Sequence, residues 1–429
     1  MATTYLSPGV YVEEVPSAVQ PIAGVGTSTA AFIGIVGQTF QLPAERVIHQ
    51  EAPAQGQPPQ PVPYLHVQDV TLPPAGEVHL ITNWRQFTRE FADLIADRTS
   101  QGLQEVKQSD FTPGALPAWR MLAHAVYGFF NNGGTRCYVV RLDNATGLAD
   151  ALAKLAGINE ISLVAIPGDT TQADQEAVLS HCENFKDRFA ILDGNNVTSP
   201  RKSDIQSCRD SNYGAIYFPW IKVFDPVTKL LDPDNPANDG GILVAPSGHI
   251  AGIYARVDSD RGVHKAPANE VIRGALDVRV RLTKNDQDGL NPGGVNAIRP
   301  FDGNIKVWGA RTMGGDANGE WRYVNVRRLF IFLRESIDAG TQWVVFEPND
   351  PSLWAKITRN ITAFLTNVWL SGALFGASPA EAFYVKCDAE TNPPSVRDAG
   401  QVVTEIGVAV VKPAEFVIFR ISQWAGPGQ

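Results

Sequence analysis

Residues 246–269 read PSGHIAGIYARVDSDRGVHKAPAN, and the chain changes character across them. Before this stretch, apolar runs of strand length alternate with helical patterns. After it come Gly-Pro turns, two long helices with one apolar face each, and a strand-rich end. His249, Tyr254, Arg256, Asp258, Asp260, Arg261, His264 and Lys265 crowd into it, and such groups need partners when they leave water. His, Asp and Arg together allow acid–base work, but neither metal-ligand spacing nor a nucleophile motif accompanies them. The stretch therefore reads as a connector between two domains. His249, Arg256, Asp258, Asp260 and Arg261 are expected to fix that junction by pairing with neighbouring chain.

Residues 148–224 show a β-α-β-α-β order. Strands are expected at Ile161–Ile166, Phe189–Asp193 and Gly214–Val223, with helices at Gln172–Phe185 and Asp204–Asn212 between them. Such alternation implies a mostly parallel sheet covered by helices. Ligands of these sheets bind beyond the strand C-termini. Asp169 and Asp193 sit there, each beside a glycine. With His249 they are the sequence's argument for an α/β enzyme, although acids and glycines are common in such turns. Thr29–Gly37 (TAAFIGIVG) is a buried-strand run, and its Gly34 and Gly37 lack the GxGxxG spacing of a phosphate loop. The proline-rich residues 41–76 read as a long surface insertion, partly extended. Helices are expected over 84–96 and 117–130 and a strand over 136–142 (RCYVVRL). In DPDNPANDGG (232–241) a proline holds the fifth position and no glycine the sixth, so the EF-hand pattern fails.

Downstream, strands are expected at 276–282, 297–301, 305–309 and 341–347. Residues 321–337 (WRYVNVRRLFIFLRESI) start a helix, with Asn325 as its cap. The next helix is capped by Asp350 and has Pro351 in its first turn. Leu353, Ile357, Ile361, Phe364, Leu365 and Val368 form its apolar stripe, and Lys356, Arg359, Thr362 and Thr366 lie on the other face. Lys356 and Arg359 are the only charges from 351 to 374. Cations near a helix start oppose its dipole, so helix stability does not explain them. The chain closes with strand runs at 402–411 and 415–421. Phe416 and Ile418 lie on one side of the last run and Val417 and Phe419 on the other, which suggests a strand covered on both faces. At the opposite end, residues 1–22 hold a single strand pattern around Val10, Tyr11, Val12 and Glu13, too little to be stable alone.

The net charge is −9, with no basic patch, which argues against nucleic-acid binding. No run approaches the roughly 18 apolar residues of a membrane span. MATTYLSPGVYVEE has neither a basic nor an apolar leader region, so no secretory signal is expected. Cys137, Cys182, Cys208 and Cys387 stand far apart with no CxxC, so neither a zinc site nor a disulfide framework is expected. No cofactor or metal is expected.

Several segments, taken together, resemble one family. PGVYVEE (8–14), FNNGGTRCYVVRL (130–142), GHIAGIYARVDSDRGVHKAPAN (248–269), LNPGGVN (290–296), WRYVNVRRLFIFLRESI (321–337) and GVAVVKPAEFVIFRISQ (407–423) are similar to motifs of contractile tail sheath proteins. The resemblance is specific in the C-terminal half and loose over 41–110. It implies an α/β and α+β subunit: an N-terminal arm (1–22), an outer α/β domain (23–265) with a variable insertion (41–76), an inner domain (266–414) and a C-terminal arm (415–429). It implies a helical homopolymer around an inner tube, contraction without catalysis, and baseplate and terminal cap partners. It also implies assembly in the bacterial cytoplasm as part of a phage tail or tail-like particle. By the same resemblance Lys356, Arg359, Thr362 and Thr366 face the tube, and Val10–Glu13 and Phe416–Phe419 join neighbouring subunits. Two alternatives stay open: an enzyme with a site near Asp169, Asp193 and His249, and a baseplate or cap component of the same machine.

Overall fold

The computed structural model describes residues 21–53 and 57–420. They form two compact units. Of the described residues, the larger unit holds 25–334 and 411–420, and the smaller holds 21–24 and 335–410.

The larger unit opens with β1 (Ala30–Ile35), followed by β2 (Thr39–Glu51), β3 (Gln60–Thr71), β4 (Val78–Ile81), α1 (Trp84–Glu90), β5 (Gln104–Lys107) and α2 (Leu116–Asn131). Next come β6 (Cys137–Leu142), α3 (Leu148–Ala156), β7 (Leu163–Ala165), α4 (Gln172–Phe185), β8 (Phe189–Asp193) and the single turn α5 (Lys202–Ile205). β9 (Gly214–Phe218) and β10 (Ile221–Phe224) follow, then α6 (Pro226–Leu231), β11 (Gly241–Val244), α7 (Ser247–Arg261), β12 (Glu270–Val271) and β13 (Ala275–Val278). α8 (Lys284–Leu290), β14 (Val295–Phe301) and β15 (Asn304–Val307) lead to α9 (Val324–Thr341), within which the chain passes to the smaller unit.

Nine strands make the main sheet, in the order β12-β15-β14-β9-β8-β7-β1-β6-β4. The six from β14 to β6 run parallel. Side chains alternate across it, as the pleat requires. In β1, Ala30 and Phe32 enter one apolar core and Ala31 and Ile33 the other. In β8, Phe189 and Ile191 take the first and Ala190 and Leu192 the second. The first core lies under α2 and α7, and the second under α3 and α4. Both faces being covered explains why these strands read as unbroken apolar runs.

Four expectations need correction here. Residues 246–269 are not a connector, because α7 is a buried helix laid against α2. Gly248 and Gly252, one turn apart, make that possible. A Cβ on either would stand 2.3 Å from the Ala125 carbonyl oxygen or 2.4 Å from that of Phe129, so only glycine lets the two backbones approach so closely. Residues 41–76 are more regular than the partly extended insertion expected. β2 and β3 form a long antiparallel hairpin extended by β5. Its prolines are placed where a missing N–H does least harm: Pro43 at a register shift, Pro61 and Pro63 beyond the span that β5 covers. The strand expected at 341–347 is absent. α9 runs on to Thr341, a 3₁₀ turn follows, and Phe346 takes a positive φ of 69°. Asn325 does not cap α9. It lies buried inside the helix and donates to the His264 carbonyl oxygen at 2.8 Å.

Smaller differences are of extent. α1 stops at Glu90, the helix expected at 204–212 shrinks to α5, and the strand expected over 214–223 is two, β9 and β10, on either side of a cis Phe218–Pro219 peptide.

The smaller unit contains the end of α9, α10 (Pro351–Leu370), the single turn α11 (Pro379–Ala382), β16 (Phe383–Lys386), α12 (Pro394–Asp398) and β17 (Glu405–Val408). Asp350 caps α10 by accepting from the Leu353 N–H at 2.8 Å, with Pro351 next. The expected stripe is buried. β16 and β17 form a two-stranded antiparallel sheet. The strand run expected over 402–411 contracts to β17 and a bridge between Leu374 and Val410.

Candidate functional site

Asp193 ends β8, and its position follows from the α/β order. Its carboxylate turns inward. Oδ1 accepts from the Ser247 N–H at 2.8 Å, and Oδ2 from the Ser247 hydroxyl at 2.7 Å and the Gly168 N–H at 3.1 Å. Ser247 begins α7, so Asp193 satisfies a donor left open at a helix start. Burial pushes its carboxyl up to about 6, and the three donors oppose that rise. Asp169 accepts from the Thr171 N–H at 2.9 Å. The carboxyl of Asp174 is pushed up to about 6, by burial first and then by Asp169 beside it. Buried Gln175 ties the two strand ends together, donating to the carbonyl oxygens of Asp193 at 2.9 Å and Asp169 at 3.2 Å. Asp169 and Asp193 are thus brought near one another, but as turn and cap residues.

His249 is buried against Gly128 of α2, and its Nδ1 has no hydrogen-bond partner among the described residues. Burial, and then the proximity of His124, push its pKa down to about 3, so the ring is neutral. His124 belongs to a separate cluster on Asp225, which caps α6. The Asp225 carboxylate meets His124 Nε2 at 2.9 Å, Arg120 Nε at 3.1 Å and the Thr228 N–H at 2.6 Å. Burial opposes ionisation of Asp225, but the His124 hydrogen bond and the Arg120 charge hold it below the usual carboxylate range.

Asp258 lies one face further along α7. It forms a bidentate pair with Arg328 of α9, at 2.9 and 2.5 Å, with both side chains almost fully buried. Thr27, just before β1, completes it: its hydroxyl donates to Asp258 at 2.6 Å and its carbonyl oxygen accepts from Arg328 at 2.7 Å. Arg328 also lies over the Tyr254 ring, whose hydroxyl meets that of Tyr217 at 2.7 Å. Three distant segments of the larger unit meet at this one charge pair. Arg256 joins the loop after α2 to β12, donating to the carbonyl oxygens of Asn132 at 3.1 Å and Val271 at 2.8 Å. Asp260 and Arg261 are exposed at the end of α7. Among the described residues no group of three or more His, Cys, Asp or Glu side chains is placed to hold a metal ion.

The sequence reading missed Arg328 and Arg311. Arg311 follows β15, and its guanidinium is almost fully buried against Glu415. Phe416, Val417, Ile418 and Phe419 come directly after Glu415. They are 70%, 68%, 77% and 85% exposed, with no secondary structure through residue 420. Among the described residues of the isolated subunit, the expected strand covered on both faces is therefore absent, and both faces of the run are bare. Val10, Tyr11, Val12 and Glu13 lie outside the described residues. Lys356 and Arg359 are exposed on α10, with Thr362 and Thr366 half-buried beside them.

Two family models cover adjoining parts of the chain: the phage tail sheath protein central domain matches residues 144–313, and the phage tail sheath C-terminal domain matches residues 316–423. The chain belongs to the contractile tail sheath family. A putative prophage major tail sheath protein of Pseudomonas aeruginosa (strain UCBPP-PA14) is 27% identical over 315 residues, 70% of this chain and 74% of that one. The tail sheath protein of Vibrio phage KVP40 is 32% identical over 186 residues, 42% of this chain but only 26% of the phage protein. Among solved structures, the PVC sheath complex of an extracellular contractile injection system, in its contracted state, is 26% identical with a TM-score of 0.70, covering 99% of both chains. The helical sheath of the anti-feeding prophage in its contracted state is 29% identical with a TM-score of 0.67, covering 98% of this chain and 100% of that one. Sheath proteins are structural, and the buried clusters around α7 fit that: each titratable group named there caps, pairs or packs.

Proposed function

We propose that this chain is the repeating subunit of a contractile sheath, which polymerises helically around an inner tube and shortens to drive that tube forward. Baseplate and terminal cap proteins would close the polymer, and the particle would be a phage tail or a related injection device assembled in the bacterial cytoplasm. No covalent chemistry is assigned to the subunit. The free energy of shortening would come from subunit interfaces that form as the polymer repacks, with each body keeping its fold. The buried Asp258–Arg328 pair, completed by Thr27, suits a body that moves as a unit, because leaving either charge buried without its partner costs about 3–5 kcal/mol.

The observation that carries this reading is the bare tetrad Phe416–Phe419. Four large apolar side chains in a row, without a strand partner among the described residues of their own subunit, favour an extended segment that is completed by another copy. Strand addition supplies such completion, through backbone hydrogen bonds along an open edge and pockets for alternate side chains. The β16–β17 sheet, with only two strands among the described residues, is the edge we assign to it. Residues 1–22, with Val10–Glu13 at their centre, are assigned the same role at the other end of the chain. Each backbone bond added contributes about 0.5–1.5 kcal/mol net, and every subunit repeats the contact.

The test is deletion of residues 1–20. The shortened chain is expected to be soluble and folded by circular dichroism, yet unable to form a stable extended sheath. Normal polymers from the deletion variant would contradict the role given to the N-terminal arm.

A further inference from the structure

The C-terminal tetrad does not hang from a loose tail. Chain that left the larger unit within α9 returns to it at residue 411, and Glu415 is seated there in a cradle built from three separate segments. Arg311 Nε and Nη2 donate to its two carboxylate oxygens, each at 2.8 Å. Asn291, in the turn between α8 and β14, donates to Oε1 at 2.7 Å, and the Tyr323 hydroxyl donates to Oε2 at 2.9 Å. Arg311 is held in turn by the Asn291 carbonyl oxygen at 3.0 Å and Asp316 at 2.9 Å. A carboxylate with four donors, two of them from one planar guanidinium, is a specific and directional site. Burial works against its charge, and the hydrogen bonds from Arg311, Asn291 and Tyr323 overcome that, holding Glu415 below the usual carboxylate range. One residue later the exposed run begins, with Phe416 at 70%.

We infer that the Arg311–Asn291–Tyr323 cradle is the anchor of the C-terminal arm: it fixes Glu415 to its own subunit so that Phe416–Phe419 are presented to a second copy of this chain. This rests on the arm reading above and adds what that reading lacks, a fixed root. An extended residue spans at most about 3.6 Å, so Phe419 reaches no more than roughly 14 Å from Glu415. The acceptor surface on the neighbour must therefore come within that radius. An unanchored tail would search a larger volume, and the effective concentration of the tetrad at its acceptor would fall. The anchor also gives the arm a point against which to pull when neighbouring bodies move.

One truncation and two substitutions in the full chain test this: truncation after Lys412, Glu415→Ala, and Tyr323→Phe, which removes one bond only. All three are assayed for the critical concentration of polymerisation by sedimentation, and the two substitutions for release of the anchor by hydrogen exchange of residues 310–324 in the monomer, whose backbone bonds from the Thr312 N–H to the Arg322 carbonyl and from the Val324 N–H to the Ala310 carbonyl flank the cradle. The truncation should abolish polymer. Glu415→Ala should raise the critical concentration by at least about tenfold, the effect of losing hydrogen bonds to a charged group, with the rest of the monomer protected as before. Tyr323→Phe should fall between it and the native chain. Should truncation leave polymerisation unchanged, the arm reading itself fails. Should truncation abolish polymer while Glu415→Ala, with the anchor visibly released, polymerises at the native concentration, the arm stands and the anchor is overturned. If Glu415→Ala is insoluble, Tyr323→Phe decides: faster exchange with an unchanged critical concentration overturns the anchor, and a raised one supports it.

Discussion

His249 is the residue whose type most invites a catalytic reading, and its surroundings give it a different consequence. The unfolded chain binds a proton on this ring near pH 6.5, whereas the folded chain, with the ring buried, does so only near 3. The stability tied to its neutrality is therefore complete above about pH 6.5 and is lost as the pH falls, by about 1.4 kcal/mol per pH unit through the window from 6 to 4. Asp193 acts in the opposite sense. Its folded carboxyl titrates near 6, so its contribution is present below about 3.8 and is lost as the pH rises through 6. His249→Gln leaves Asp193 in place, so the difference between the two chains isolates the histidine. Denaturant titrations of both at pH 6.5, 5.5 and 4.5 should show a gap that changes by about 1.4 kcal/mol per unit. Parallel curves would mean that the ring takes up its proton in the folded state.

Elements differed in how far the sequence disclosed them. α4 and β8 have the expected limits, because an amphipathic period and an apolar run each answer to a single packing surface. β2 and β3 were hidden by their prolines, which ordinarily mark loops and here occupy a bulge and a free edge. α7 was hidden more deeply. It is buried nearly all round, so its residues show no apolar stripe, and its glycines, poor helix formers in isolation, are what admit α2. The partners of its charges could not be read either: Arg328 and Thr27 lie 70 and 231 residues from Asp258, and no local pattern reports such a distance. α10 was the clearest helix, and it carries the prediction that belongs at this scale. We expect Lys356 and Arg359 to help α10 hold an acidic stripe on the tube. Reversing both charges should leave the monomer folded and impair assembly around the tube, although each exposed contact is worth only about 0.2–1 kcal/mol, because the polymer repeats it many times. Unchanged tube-dependent assembly in the double variant, measured by co-sedimentation of tube and sheath, would count against this role.

At the scale of the whole molecule, the chain divides its labour between buried charge and bare apolar surface. The clusters at Asp193, Asp225 and Asp258 hold the larger unit together. Glu415 is held in its cradle directly before four side chains that are exposed among the described residues. Of this, the sequence disclosed the apolar tetrad but not its state in the isolated subunit. A strand apolar on both sides was expected to be covered on both faces, and by resemblance to join a neighbouring subunit. Among the described residues it is neither a strand nor covered, and we propose that what covers it belongs to another copy. The most direct measurement is a helical reconstruction by electron cryomicroscopy of polymer grown from the purified chain. Our account predicts a tubular homopolymer in which Phe416–Phe419 form a strand on the β16–β17 sheet of a neighbouring subunit, with Glu415 still seated on its own Arg311. A closed ring of fixed copy number, or a tetrad folded back onto its own subunit within the polymer, would contradict it.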